Sequence, residues 1–189
     1  MRVRTVSALF IALIMLFCVS CGESGSDDSA MTKALLDSYM TALCDYDLSG
    51  MNKCCMAGLE PYGDGEAAVK SCRSIAGRMD WESESIVISG SSATARLRMT
   101  APADIPGICA SALDDAVKSL DEDPDADPAE LLASAIRKRA GKADVTAFSA
   151  EVTMAKVGNQ WFIVRSPDVN RTLSEIRTPV AAAFAILGK

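Results

Sequence analysis

The sequence predicts an α+β domain: N-terminal helices packed on a curved antiparallel sheet of about four strands, with a helical hairpin inserted between strand pairs. Three observations carry this. Apolar residues recur at helical spacing from Met31 to Tyr46. From Ser92 to Ala101 the pattern switches to period two, with Ala93, Ala95, Leu97 and Met99 on one side and Thr94, Arg96, Arg98 and Thr100 on the other. Two apolar helical stripes, each with its own start signal, then fill 107–140 before the strand pattern resumes. One buried and one wet face per strand is the habit of an antiparallel sheet.

Taken in order, Ser29 is the expected N-cap of a first helix whose stripe is Met31, Leu35, Tyr39, Leu43 and Tyr46, widened by Leu36 and Met40. A short second helix is expected over about 48–57, ending at Gly58, and a loop rich in Pro and Gly over 59–65. A third helix, about 66–79, places Val69, Cys72, Ala76 and Met79 on one side. The first strand is expected at 85–89 and the second at 92–101, joined at Gly90-Ser91. Pro106 opens the hairpin, whose first stripe is Ile108, Ala112, Leu113, Ala116, Val117 and Leu120. Its second helix opens on Asp127-Pro128-Ala129-Glu130, with N-cap, N1 proline and acidic N3 in place, and closes on Arg137-Lys138-Arg139 before Gly141. A third strand puts Phe148, Ala150, Val152 and Met154 on one face. A turn at Val157-Gly158-Asn159 leads to Trp161–Val164, the most apolar strand and therefore expected at the centre of the sheet. Thr178 and Pro179 are expected to start a short final helix carrying Val180, Phe184 and Leu187.

Composition excludes several chemistries. The 189 residues contain no histidine, so Ser-His-Asp and Cys-His nucleophilic sites, His-ligated zinc and an imidazole base are out of reach. Nineteen basic residues face 25 acidic ones, a net charge of −6, and such an acidic chain is ill suited to hold nucleic acid through its phosphates.

The first residues read as an address. Met1-Arg2-Val3-Arg4 is a basic start, and Ala8–Val19 is an unbroken apolar run of twelve, too short to span a membrane. Cys18-Val19-Ser20-Cys21-Gly22 follows, and this resembles the lipobox of bacterial lipoproteins, with Cys18 where that family usually has Leu. The resemblance implies a signal peptide over 1–20, lipid attachment at Cys21 through acyl chains of the palmitate class, and a place on the extracytoplasmic face of the bacterial cell membrane. The lipid bilayer is then one partner. Two acyl chains suffice for stable anchoring. Removing residues 1–20 takes away Arg2 and Arg4 and no acid, leaving 17 basic against 25 acidic residues, a balance of −8. Residues 21–29 read as a flexible polar tether, and 30–189 as a single α+β cone-like domain with the helical insertion at 107–140.

Helices first, then the hairpin Ser-Gly-Ser-Ser-Ala-Thr-Ala before Arg96-Leu97-Arg98, then Gly-Asn-Gln-Trp-Phe-Ile-Val, is an order similar to that of the nuclear-transport-factor-two-like, or cystatin-like, cone-shaped fold. More narrowly it resembles bacterial lipoproteins carrying such a domain, over about residues 30–165. Folds of this kind host isomerases, dehydratases, ligand binders and adaptors, so the resemblance implies a cavity and no particular activity.

Five cysteines lie beyond Cys21. In an oxidising envelope they are disulfide candidates, and at least one bridge is expected from Cys54 or Cys55 to Cys44 or Cys72; the alternative is five unbridged small hydrophobes, Cys109 included. The acidic loop 121–127 has an EF-hand-like supply of oxygens but Pro124 where the sharp turn needs glycine, so it reads as a solvated turn and no metal is expected. Gly63-Asp64-Gly65-Glu66-Ala67-Ala68 lacks the preceding strand a dinucleotide site needs, and no cofactor is expected. Trp81 and Trp161 read as core rather than pocket.

The leading functional reading is a non-catalytic envelope module that binds a small ligand or another envelope protein, with no catalytic residue assigned. The alternative is an envelope enzyme using a carboxylate or tyrosine inside the cone, for which Asp80, Glu82, Glu84 and Tyr39 are the only loosely placed groups. The hairpin is expected to cover the mouth of the sheet as a lid, with a partner-binding arm as the other outcome.

Overall fold

A computed structural model of the chain describes residues 26–57 and 65–188. The lipobox-like segment, Cys21 and the first half of the expected tether lie outside the described residues. The fold is α+β. Three helices, α1 (Ser26–Cys44), α2 (Leu48–Cys54) and α3 (Glu66–Ala76), precede strands β1 (Asp80–Ser89) and β2 (Ser92–Pro102). The hairpin α4 (Ile105–Glu122) and α5 (Pro128–Ala140) leads back to β3 (Val145–Val157) and β4 (Gln160–Arg165), and α6 (Pro167–Leu187) ends the chain.

The sheet is an antiparallel meander in the order β1-β2-β3-β4. Both hairpins close on two-residue turns. Gly90 (φ 60°) and Gly158 (φ 61°) take the left-handed position while Ser91 and Asn159 do not, the type II′ geometry that matches strand twist. The expected register of β2 is observed: Ala93, Ala95, Leu97 and Met99 are buried, and Arg96 and Arg98 are exposed. Leu97 lies opposite Ala150, and Ala95 opposite Val152, so one contiguous apolar face meets the helices. On the open face Glu82 pairs in register with Arg98, and Arg96 with Glu151.

Strand β1 begins five residues earlier than expected, because a bulge between Ser83 and Ser85 interrupts the alternation that marks a strand. The apolar β4 is an edge strand, not a central one. Its apolarity comes from the helix-facing Trp161 and Ile163, both buried. The outer edge is covered locally by the chain leaving α2, where Cys55 bridges Ile163 and the Met56 N–H donates to the Ile163 carbonyl at 3.0 Å.

Helix α1 is already helical at Ser26, so Ser26–Ser29, expected as tether, belong to the helix, and Ser29 is not its cap. It ends in a Schellman arrangement, with Asp47 N–H on Ala42 O (2.7 Å) and Tyr46 N–H on Leu43 O (3.0 Å). Tyr46 takes the left-handed conformation there (φ 50°), a position that favours glycine, and its side chain is buried. The expected short C-terminal helix is instead one helix of 21 residues with Pro179 inside it. The start signal is Pro167 with Asp168 in the first turn, and Pro179 forfeits only the bond to the Glu175 carbonyl.

That length decides where the insertion sits. The hairpin stripes are buried through Ile108, Ala112, Ala116, Leu132 and Ile136, and its main neighbours are α3 and α6 rather than the sheet. The expected lid over the sheet is therefore corrected: α6 returns from β4 and provides the surface on which the hairpin docks. A wholly unpartnered arm is not seen either. Lys70 of α3 reaches Glu130 of α5 at 3.0 Å, and Arg139 of α5 clasps Asp115 of α4 at 2.8 and 2.9 Å. Asp127 caps α5 through Ala129 N–H, as its sequence foretells, and Asp104 caps α4 through Gly107 N–H.

Candidate functional site

The most elaborated polar site among the described residues lies where the N-terminal segment enters the domain. Lys156 and Trp161 face each other across the last rungs of the β3–β4 hairpin. Both donate to one oxygen of Asp28 in the first turns of α1: Lys156 Nζ at 2.6 Å and Trp161 Nε1 at 3.0 Å from Oδ1. The ammonium also lies 6.0 Å from the centre of the Trp161 ring, at the limit of a cation–π contact. These hydrogen bonds, Lys156 first and Trp161 second, hold the Asp28 carboxyl below its ordinary value of 3.8. One turn on, the buried Thr32 hydroxyl donates to the carbonyls of Asp28 (2.8 Å) and Ser29 (3.1 Å). The start of α1 is thus a clamp, and Trp161 is both core residue and hydrogen-bond donor.

Of the groups weighed for acid–base chemistry, none lines either of the two grooves described below. Tyr39 is fully buried, and its hydroxyl is 2.6 Å from Ser166 Oγ, the residue that precedes α6. Burial raises the phenol well above its ordinary value of 10.0, so it stays protonated and works as a tie between α1 and α6. Asp80, Glu82 and Glu84 are exposed on β1. Among the described residues no cluster of three or more Cys, Asp or Glu groups converges as a metal site.

No disulfide joins Cys44, Cys54, Cys55, Cys72 and Cys109, so the expected bridge from Cys54 or Cys55 to Cys44 or Cys72 is not formed in the structure. Each serves instead as a small apolar side chain: Cys54, Cys72 and Cys109 are buried, and Cys44 and Cys55 pack against the same core. Burial pushes the Cys44, Cys55 and Cys109 thiols up to about 11, so they are protonated and poor nucleophiles near neutrality.

Two open grooves lie on the helical layer. One, of about 360 Å³, runs between α4 and α5 and is lined by Asp115, Lys118, Leu131 and Lys138 among others. The second, of about 520 Å³, lies between the base of the hairpin and α6, with Pro102, Ile105, Pro106, Glu175, Thr178 and Pro179 in its walls. Its wall includes the stretch of α6 that carries Pro179, which has no N–H to donate to the Glu175 carbonyl. Sequence reasoning missed this groove because it treated Pro179 as a helix start.

No helix of the described residues is long and apolar enough to cross a membrane. No family model matches the chain, and no curated protein matches it. Among solved structures, the chain is similar to a crystal structure described as a "putative lipoprotein (ycdA)" from Bacillus subtilis subsp. subtilis str. 168, with 17% identity and a TM-score of 0.42. The match covers 77% of this chain and 46% of that one, so the chain spans less than half of that protein's length. A likeness at this level assigns the chain to no family, the cone-shaped one included.

Proposed function

We propose that this chain is a lipid-anchored protein of the extracytoplasmic face of a bacterial cell membrane, and that its domain is a binding module rather than an enzyme. The observation that carries the anchor is positional. Cys21 follows a twelve-residue apolar run and a basic start, and stands five residues before the first helical residue of the domain, Ser26. A lipidated cysteine there would tether a domain whose first helix is itself pinned by Asp28. The binding reading is supported by what surrounds the polar groups. Tyr39 is tied to Ser166, the three acids of β1 face solvent, and the concave surfaces lie on the helical layer. The groove beside Pro179 is the surface we assign to a ligand or an envelope protein.

Substituting Cys21→Ala tests the anchor. The protein should leave the membrane fraction or retain its signal peptide, and mass spectrometry of the wild-type N-terminal peptide should show a diacylglyceryl group. A processed, membrane-bound Cys21→Ala protein would refute it. For the groove, a photo-cross-linking side chain at Thr178 should give a discrete adduct in intact cells and one at Arg96, on the open sheet face, should not. Equal labelling from both positions would remove the groove as the binding surface.

A further inference from the structure

The clamp fixes which end of the domain a lipid on Cys21 would hold. Because Ser92 pairs with Ala155, and Lys156 N–H donates to the Ser91 carbonyl at 2.8 Å, the two β-turns Gly90-Ser91 and Gly158-Asn159 lie side by side at one end of the sheet. The first turns of α1 sit at that same end through the Asp28 bonds to Lys156 and Trp161. From Cys21 to Ser26 the chain can reach at most about 18 Å. A lipid on Cys21 therefore holds this end, and not the other, close to the headgroups.

The surface there suits that position. In a chain of net negative charge, residues 85–95 carry no charge at all, and residues 152–164 carry only Lys156. Among the described residues, the first turn of α1 brings Asp27 and Asp28 to this end, and Asp28 is matched by Lys156. The opposite end of the sheet is the charged one, bearing the exposed Asp80, Asp104 and Asp144 together with Arg78 and Lys142. Beside the second turn Val157 is 50% exposed, and Val87, on the strand leading to the first, is 64% exposed. Apolar and uncharged side chains on the two turns keep repulsion from anionic lipid low, avoid the cost of desolvating charge, and allow shallow burial of a valine.

We infer that the domain rests on the lipid surface through its two β-turns, with Val157 entering the headgroup layer and the helical layer's Pro179 groove left free. This rests on the anchoring reading above, and the test separates the two. Because the chain has no histidine, a hexahistidine tag in place of residues 1–21 can tether it to vesicles of phosphatidylglycerol, phosphatidylethanolamine and a nickel-chelating lipid. Hydrogen exchange is then compared with the untethered protein. Amides of 89–92 and 157–160 should slow about tenfold on the vesicles, while those of 103–104 and 142–144 should not change. Val157→Asp, at an exposed position, should restore fast exchange at both turns without altering exchange at 93–102. Unchanged turns on wild-type vesicles, slowing at the Asp104–Asp144 end, or slowing that survives Val157→Asp would overturn the inference. Mass spectrometry of the native N-terminal peptide decides the anchor separately, so either idea can fail alone.

Discussion

Helix α1 and the helical hairpin α4–α5 each bury an apolar face, though Met31 and Val117 of the expected stripes stay exposed, and the two are held by different means. Helix α1 makes its main contacts with β1, β4, α2 and α3, and polar groups fix it at two points, Asp28 on the β3–β4 hairpin and Tyr39 on Ser166. The residues at the far side of those two polar ties lie 127 to 133 positions away in the chain. The hairpin packs chiefly on itself, on α3 and on α6, and its polar ties run between neighbouring helix surfaces, Arg139 to Asp115 and Lys70 to Glu130. An apolar stripe states that a helix will be buried. It does not state against what, because burial of apolar area is non-directional. Paired polar groups supply the direction, and for α1 they come from residues far off in sequence.

The contrast can be broken most forcefully in the core. Leu97, fully buried at the centre of the sheet, should lose about 2–5 kcal/mol on substitution to Ala, and hydrogen exchange should quicken throughout the domain. Ile136→Ala should cost a similar amount by the same cavity argument, but its exchange should quicken first in α4 and α5, with the strands following later. Uniform acceleration in both variants would show that hairpin and sheet open as one unit, and the distinction drawn above would fall.

Tyr39→Phe sharpens the α1 side. It leaves the Ser166 hydroxyl buried without its partner and should cost about 1–3 kcal/mol in denaturant titration, with no change in the surface exposed on unfolding. A smaller effect is expected on the hairpin side from Asp127→Ala, which removes the cap on Ala129 N–H and should cost about 1 kcal/mol. The gentlest test is Asp28→Asn, whose effect should be confined to the first turns of α1. The Asp28 carboxyl is held below its ordinary value by Lys156 and Trp161, so its stabilising effect is present above the ordinary carboxylate range and is lost as pH falls through the lowered value. The indole N–H resonance of Trp161 should therefore shift on acidification in the wild type, and should be insensitive to the same acidification in Asp28→Asn.

Much of the fold could be read locally. The alternation of β2 announced its buried face, the Asp127-Pro128 pair announced the start of α5, and Gly90 and Gly158 announced the two turns, because each of these depends on residues within a few positions. The misreadings share a cause. Pro179 looked like a helix start because proline is common there, but a helix already launched at Pro167 can carry a proline in its interior. The apolarity of Trp161–Val164 suggests a central strand, whereas an edge strand beneath helices needs only Trp161 and Ile163 and leaves Val164 exposed. Cysteine spacing suggested a bridge between positions that the fold uses as packing. At the junction, Asp28 reads as tether, since nothing near it in sequence hints at Lys156 or Trp161.

By itself, the sequence determined the α+β class, the register of β2, the two turns, the capped hairpin and the absence of histidine chemistry. These rest on backbone propensity, side-chain periodicity and composition, which are properties of short segments or of the whole list of residues. Only the tertiary structure decided that β4 lies at an edge, that α6 runs unbroken past Pro179, that the hairpin sits on helices rather than over the sheet, and that Asp28 locks the entry of the chain to a distant β-hairpin. Each of those depends on which surfaces meet, and a pattern of apolar residues leaves that choice open until distant polar groups and the lengths of the elements settle it.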